Sequence, residues 1–267
     1  MKLGPFQALI FDQDGTILDA ELGHCQSWIE VASHHNSVFT KGTFKKFAGM
    51  GDTAIGKYLA IQINPHLEEN TEEIKKIGFE LKEEKRNIYN RLIDSLPLMP
   101  GVEALLVEAK NIGVLMAIAT ISPVKETMRT IKNHHLDRFF SVVVTIDDME
   151  HPDQTKPAPD IYLAAARKLK TDVQNCLAFE DSSIGVTAAF NAGMKVIAVP
   201  TEYSEHFDYS AATVMVSSLE KISIEKDPRG VFVNYLSPTK NPMWLYFRAV
   251  WEHDCDQSSA TLKKLWF

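Results

Sequence analysis

Residues 6–19 read FQALIFDQDGTILD, and the fold follows from how this stretch ends. The apolar run 6–11 predicts a buried strand that stops abruptly at Asp12. Asp14 lies two residues on and can reach the same side as Asp12. Gly15 then permits a sharp turn in which backbone N–H groups can approach an anion. Thr16, Ile17 and Asp19 complete the motif.

Four more apolar runs repeat the pattern: VLMAIA at 114–119, SVVVTI at 141–146, CLAF at 176–179 and MKVIAV at 194–199. Helical patterns separate them. An amphipathic stretch over 102–110 closes near Gly113, Ser122-Pro123 reads as a helix N-cap with proline at the first helical position, and Pro159 opens DIYLAAARKLK. Ser182 or Ser183 caps a helix carrying Ala188, Ala189 and Ala192, small residues suited to packing closely on a sheet. Short strands alternating with helices predict an α/β fold with a Rossmann-like parallel sheet.

Residues 20–96 break the alternation, with helical patterns at 25–33, 53–61 and 71–96 and no convincing strand. The reading is an all-helical cap inserted after the first strand, with the chain returning at Pro97, Pro100 and Gly101. The predicted organisation is a core of 1–19 plus 97–225, a cap of 20–96, and a C-terminal extension of 226–267. Within the cap, Lys82-Glu83-Glu84-Lys85-Arg86 reads as a solvated helix face. After residues 217–219 the α/β pattern stops, and Pro228, Pro238 and Pro242 interrupt the chain. Trp244, Trp251 and Trp266 lie in this tail, which is expected to pack on the core or to form a partner or homo-oligomer contact.

Composition narrows the function. The 267 residues carry a formal charge of −7 with no Lys/Arg cluster to offset it, which argues against a nucleic-acid surface. No apolar run approaches the roughly 20 residues of a membrane span. Cys25, Cys176 and Cys255 follow no CxxC spacing and read as reduced thiols. A strand pattern beginning at Phe6 leaves no room for a targeting segment ahead of it, so a cytoplasmic location is expected.

Ligands of open parallel sheets bind outside the carboxyl ends of the strands. Asp12 and Asp14, Thr120 with Ile121 beside it, and Glu180-Asp181 all fall at such ends, and Lys156 lies in the loop entering a following helix. These residue types suit phosphoryl transfer. A carboxylate attacking a phosphate dianion meets like-charge repulsion that a lysine and a divalent cation lower. Asp12, the Asp14 backbone carbonyl, Glu180 and Asp181 offer oxygen ligands of the kind Mg²⁺ takes. Asp14 can give a proton to the leaving oxygen and later take one from water. The Thr120 hydroxyl and N–H can meet a phosphate oxygen.

DQDGTILD (12–19), the strand end at Thr120, TKPAPDIY (155–162) and FEDSSIGVTAAFNAGM (179–194) resemble the four motifs of the haloacid dehalogenase superfamily. The chain is most similar to its branch with a helical cap between the first two motifs, which includes β-phosphoglucomutase and sugar-phosphate phosphatases. The resemblance spans about residues 6–220. It implies a mobile cap, Mg²⁺, Asp12 as nucleophile, Asp14 as acid and base, Thr120 and Lys156 on phosphate, and Glu180 and Asp181 on the metal. A carboxylate at Asp14 also favours phosphate chemistry over the dehalogenase branch.

His24 falls where β-phosphoglucomutase-like sequences carry a histidine and either faces substrate or fills the hinge. Gly49 matches the cap-loop glycine, and Lys85 or Arg86 on the last cap helix reads as more solvated than site-facing. In the mutase an arginine just after that glycine holds a second phosphate. This chain has Asp52 there, whose carboxylate would repel one. Hydrolysis of a small phosphorylated metabolite, a sugar phosphate first, is therefore preferred, with a phosphomutase as the alternative. A non-catalytic binding protein on the same fold would be expected to lack the first aspartate or the lysine, and both are present here.

Overall fold

The computed structural model describes residues 1–69, 71–151 and 154–236. The first apolar run is divided at Gln7. Residues before it form β1 (Lys2–Phe6), and residues after it form β2 (Ala8–Phe11). Four cap helices follow: α1 (Ala20–His34), α2 (Lys41–Lys46), α3 (Gly51–Ile63) and α4 (Glu72–Leu92). The alternating part of the chain then gives α5 (Val102–Asn111), β3 (Leu115–Ala119), α6 (Val124–Asn133) and β4 (Val142–Val144). It continues as α7 (Asp160–Leu169), β5 (Cys176–Glu180), α8 (Ser183–Asn191), β6 (Lys195–Ala198) and β7 (Val214–Met215). A hairpin of β8 (Ile222–Asp227) and β9 (Gly230–Tyr235) ends the described chain.

Among the described residues, six strands form a parallel sheet in the order β4-β3-β2-β5-β6-β7. The α/β fold with an inserted helical cap is thus as the sequence predicts. β7 adds a strand, which two residues could not announce as an apolar run. β2 is central, and Phe11 is level with Ile118 of β3 and with Phe179 of β5. This register brings Asp12, Thr120 and Glu180 to one edge, at the switch point where ligands of such sheets bind.

Alternation along the strands builds two cores. Leu9, Phe11, Ile118 and Phe179 face α5 and the hairpin, where Phe11 stacks on Phe179 at 4.6 Å and meets Phe140 edge-on at 5.9 Å. Ala8, Ala117, Ala119 and Ala178 face α7 and α8, where small side chains on both sides permit close approach. In the cap, Trp28, Phe44, Leu59 and Ile88 share a third cluster. A Cβ on Gly56 would stand 2.5 Å from the Gly78 carbonyl, so only this glycine pair allows α3 and α4 to cross so closely.

One expectation is corrected. Lys85 is buried, 2% exposed, although its neighbour Arg86 is exposed, so the charged run 82–86 is not uniformly solvated. The boundary drawn at 226 falls inside β8. The hairpin pairs antiparallel with β1, and its Ile222, Ile224, Val231 and Val233 belong to the core cluster with α5. Trp244, Trp251, Trp266 and Cys255 lie outside the described residues. Cys25 and Cys176 are free thiols, both buried, and none of the described helices is long and apolar enough to cross a membrane.

Truncation before residue 226 removes β9 and the end of β8, and with them Val231 and Val233 of this core cluster. The product is expected to aggregate, as checked by size-exclusion chromatography, and a monodisperse truncated protein would contradict the packing described.

Candidate active site

Asp12 follows β2 directly, and its N–H extends the ladder by donating to the Phe179 carbonyl at 3.0 Å. The chain then turns tightly, with the Ile17 and Leu18 amides donating to the Gln13 carbonyl at 2.8 and 2.9 Å. Gly15 has φ +87°, and a Cβ there would lie 2.2 Å from Asp181 Oδ2. Both the left-handed backbone and the nearby carboxylate therefore require glycine. Asp19 caps α1 by accepting from the Leu22 N–H at 3.2 Å.

The turn brings Asp12 against residues from two distant segments. Lys156, ahead of α7, donates to Asp12 and to Glu180 Oε1, the latter at 2.5 Å. Glu180 is held on every side: Tyr162 donates to Oε1 at 2.7 Å, and the Ser182 hydroxyl and N–H donate to Oε2 at 3.0 and 3.2 Å. A Cβ on Gly185 would overlap this carboxylate at 1.9 Å, which explains a glycine in the first turn of α8. Asp181 is less engaged, its Oδ1 accepting from Thr16 at a long 3.4 Å.

Asp12, Glu180 and Asp181 are all buried and can offer one oxygen each, all within 4.8 Å of one another. Three buried carboxylates face one lysine, so negative charge is in surplus. Burial, opposed by Lys156 and reinforced by Glu180 and Asp14, pushes Asp12 up to about 8. Burial, together with Glu180 and Asp12, also holds Asp181 well above the carboxylate range. Lys156 stays firmly charged, because the two carboxylates outweigh the burial that would lower it. A hard, all-oxygen donor set with excess negative charge fits a divalent cation such as Mg²⁺. Asp12 and Asp181 would be the freer donors to such an ion, while Glu180 is fixed by its hydrogen bonds.

Asp14 stands beside this cluster. It accepts from the Ser122 hydroxyl and, at 3.0 Å, from the amide of buried Gln13. The sequence reading assigned Ser122 to the helix cap. The structure instead has Pro123 at the N-cap, α6 starting at Val124, and Asp147 accepting from the Val124 N–H at 2.6 Å. Ser122 is thereby free to hold Asp14. Its spacing of two from Thr120 was the available signal. Thr120 is buried, but its N–H donates to Val144 at 3.0 Å and is not available to a phosphate. Its hydroxyl accepts from the Ser122 N–H at 3.1 Å and keeps its own proton to donate. Ile121, next to it, is exposed.

The remaining predicted residues belong to the cap. His24 Nδ1 lies 2.8 Å from the Lys85 ammonium, and its ring stacks on Tyr89 at 4.2 Å. Burial and Lys85 depress His24 to about 3, so the ring is neutral and accepts from the ammonium. Lys85 also donates to Asp52 Oδ2 at 2.8 Å, and Trp28 Nε1 donates to Oδ1 at 3.0 Å. Burial alone would raise Asp52, but Lys85 and these hydrogen bonds hold its carboxyl below the usual range. Sequence spacing did not join His24, Asp52 and Lys85, which come from three helices. Gly49, with φ +77°, meets Phe207 in the loop after β6. A cavity of about 1090 Å³ lies between α5 and β8 and touches none of these groups, whereas a cavity of about 250 Å³ borders Gly15 and Thr16.

A family profile for haloacid dehalogenase-like hydrolases matches residues 9–199. The chain is 37% identical to YhcW of Bacillus subtilis (strain 168), over 73% of this chain and 84% of that protein. It is 28% identical to the phosphorylated carbohydrates phosphatase of Thermotoga maritima, over 72% and 83% of the two chains. Among solved structures, a HAD hydrolase of family IA, variant 3, from Entamoeba histolytica has a TM-score of 0.64 at 25% identity, covering 81% of this chain and 95% of the other.

Proposed function

This chain belongs to the haloacid dehalogenase-like hydrolase family, in the branch of β-phosphoglucomutase-like proteins and sugar-phosphate phosphatases, and from that membership we propose that it is a Mg²⁺-dependent phosphatase of small phosphorylated sugars. The observation that carries the reading is the buried group of Asp12, Glu180 and Asp181 around Lys156 at the strand ends. The phosphorylated carbohydrates phosphatase among its relatives supports the substrate class.

In this reading an Asp12 oxygen attacks phosphorus and the bond to the sugar oxygen breaks. Asp14 gives its proton to that oxygen, so the sugar leaves as a neutral alcohol. Asp14, now ionised, takes a proton from a water that attacks the phosphorus of the aspartyl phosphate, releasing phosphate and restoring Asp12. Lys156 holds the Asp12 carboxylate in place and offsets its charge as the dianion approaches. The Thr120 hydroxyl donates to a phosphate oxygen, and Ser122 and Gln13 keep Asp14 aimed. A Mg²⁺ ion held by Asp12, Asp181 and the Asp14 carbonyl, with Glu180 behind them, would neutralise phosphate charge when bound.

The cap argues for hydrolysis rather than mutase chemistry. Its buried cation, Lys85, is already neutralised by Asp52, so a second phosphate would meet no free positive charge there. Asp52→Asn should leave Lys85 without its salt-bridge partner and lower KM for sugar bisphosphates by about tenfold relative to monophosphates. An unchanged KM ratio would remove this argument.

The reading is tested by measuring phosphate release from a panel of phosphorylated sugars with Mg²⁺ and with EDTA. Release that EDTA abolishes is expected, and release that survives EDTA would contradict the metal requirement.

A further inference from the structure

The loop that follows β6 makes contacts in two directions. Toward the cap, Glu202 pairs with Lys41 at 2.5 Å and Lys45 at 2.9 Å, both on α2. Tyr203 is only 4% exposed inside the cap's own apolar cluster, with its ring edge-on to Phe44 at 5.3 Å. Phe207 packs against Gly49 so closely that an added Cβ would approach its ring to 2.9 Å.

Toward the metal ligands, the same loop grips the backbone. Ser204 Oγ donates to the Asp181 carbonyl at 2.9 Å, and the Tyr209 hydroxyl donates to the same oxygen at 2.5 Å. The loop is stiff between these grips. The Ser204 N–H donates to the Thr201 carbonyl at 3.1 Å, and Thr201 N–H donates back to Ser204 Oγ at 3.0 Å. Tyr203, anchored in the cap, and Ser204, anchored on Asp181, are consecutive residues of this turn. One cannot shift without moving the other.

Magnitudes separate the two cap-side grips. Exposed ion pairs such as those of Glu202 are screened by solvent and contribute little. A buried tyrosine ring removes far more surface from water and dominates. Tyr203 therefore seats the loop and Glu202 aligns it.

We propose that residues 201–209 tie the seating of the cap to retention of the divalent cation, with Tyr203 and Glu202 as positioning residues that act on Asp181 through Ser204 and Tyr209. The inference rests on the metal reading of the site given above. Coupling of this kind is reciprocal, so a bound cation also favours the seated cap.

The test is Mn²⁺ binding without substrate, followed by electron paramagnetic resonance of the free ion. Tyr203→Ala is expected to weaken Mn²⁺ binding about fivefold or more, and Tyr203→Phe, which keeps the ring in the cap, to bind like the unmodified protein. Glu202→Lys should weaken binding, and adding Lys41→Glu and Lys45→Glu should restore it. These surface exchanges carry the test if Tyr203→Ala does not fold. Unmodified protein that binds Mn²⁺ while Tyr203→Ala and Glu202→Lys bind it equally well would overturn the coupling alone. Unmodified protein that binds no Mn²⁺ would overturn the metal reading and this inference with it.

Discussion

Asp12→Asn is expected to abolish turnover and leave the fold intact. The amide has the shape of the carboxylate, but its nitrogen and oxygen are too weakly nucleophilic to form the bond to phosphorus. Lys156 would keep Glu180 as a partner at 2.5 Å, so no buried charge is stranded. Stability should move in a defined direction. Burial, against the pull of Lys156, raises Asp12 from 3.8 to about 8 in the metal-free protein. A carboxylate raised on folding is penalised once the unfolded chain ionises, so the penalty is absent below about pH 4, grows with rising pH, and is complete above about pH 8. The neutral asparagine escapes it. In EDTA the variant should melt at the same temperature as the unmodified protein near pH 4 and higher near pH 8, by thermal denaturation. Turnover near the unmodified rate would exclude Asp12 as nucleophile.

Asp14→Asn is expected to lower the rate on sugar phosphates by about 10²–10⁴-fold. The substitution preserves the local geometry, because an asparagine can still accept from the Gln13 amide and can donate to Ser122 Oγ in place of accepting. What it removes is the proton for the leaving oxygen and the base for the water. The two losses are separable. With an aryl phosphate, whose leaving oxygen needs no proton, formation of the aspartyl phosphate should be nearly unaffected and its hydrolysis slow. Burst kinetics on such a substrate would show one rapid equivalent of the phenol followed by slow release. A full steady-state rate on both substrates would make Asp14 merely structural.

The features legible in the sequence were those written locally. An apolar run halted by Asp12, another halted by Glu180-Asp181, and helical insertions between them specify strand ends and their order. A parallel sheet converts that order into proximity. Gly15 carries a comparable signal, since its turn needs a positive φ, although the nearness of Asp181 was not visible. The residues that escaped depend on contacts between distant elements. In the run 82–86 every residue is charged, so nothing local distinguished Lys85, which turns inward to Asp52 and His24, from Arg86, which faces solvent. Ser122 could serve equally as a helix cap or as a partner of Asp14, and only the position of α6 decided between them. Gln7 lies in an otherwise apolar run, where one polar residue did not reveal that β1 leaves for a different sheet. Nothing local in the sequence marks Tyr203, because its pocket is built by cap residues more than a hundred positions earlier.

The central claim is that phosphate leaves substrate on Asp12, and it is tested most directly by acid-quenching the reaction with a sugar phosphate and Mg²⁺ and locating the phosphoryl group by peptide mass spectrometry. A phosphoryl group on residue 12, lost in EDTA and in Asp12→Asn, is the predicted result. Steady phosphate release with no label on that residue at any quench time, and with Asp12→Asn still active, would contradict the account.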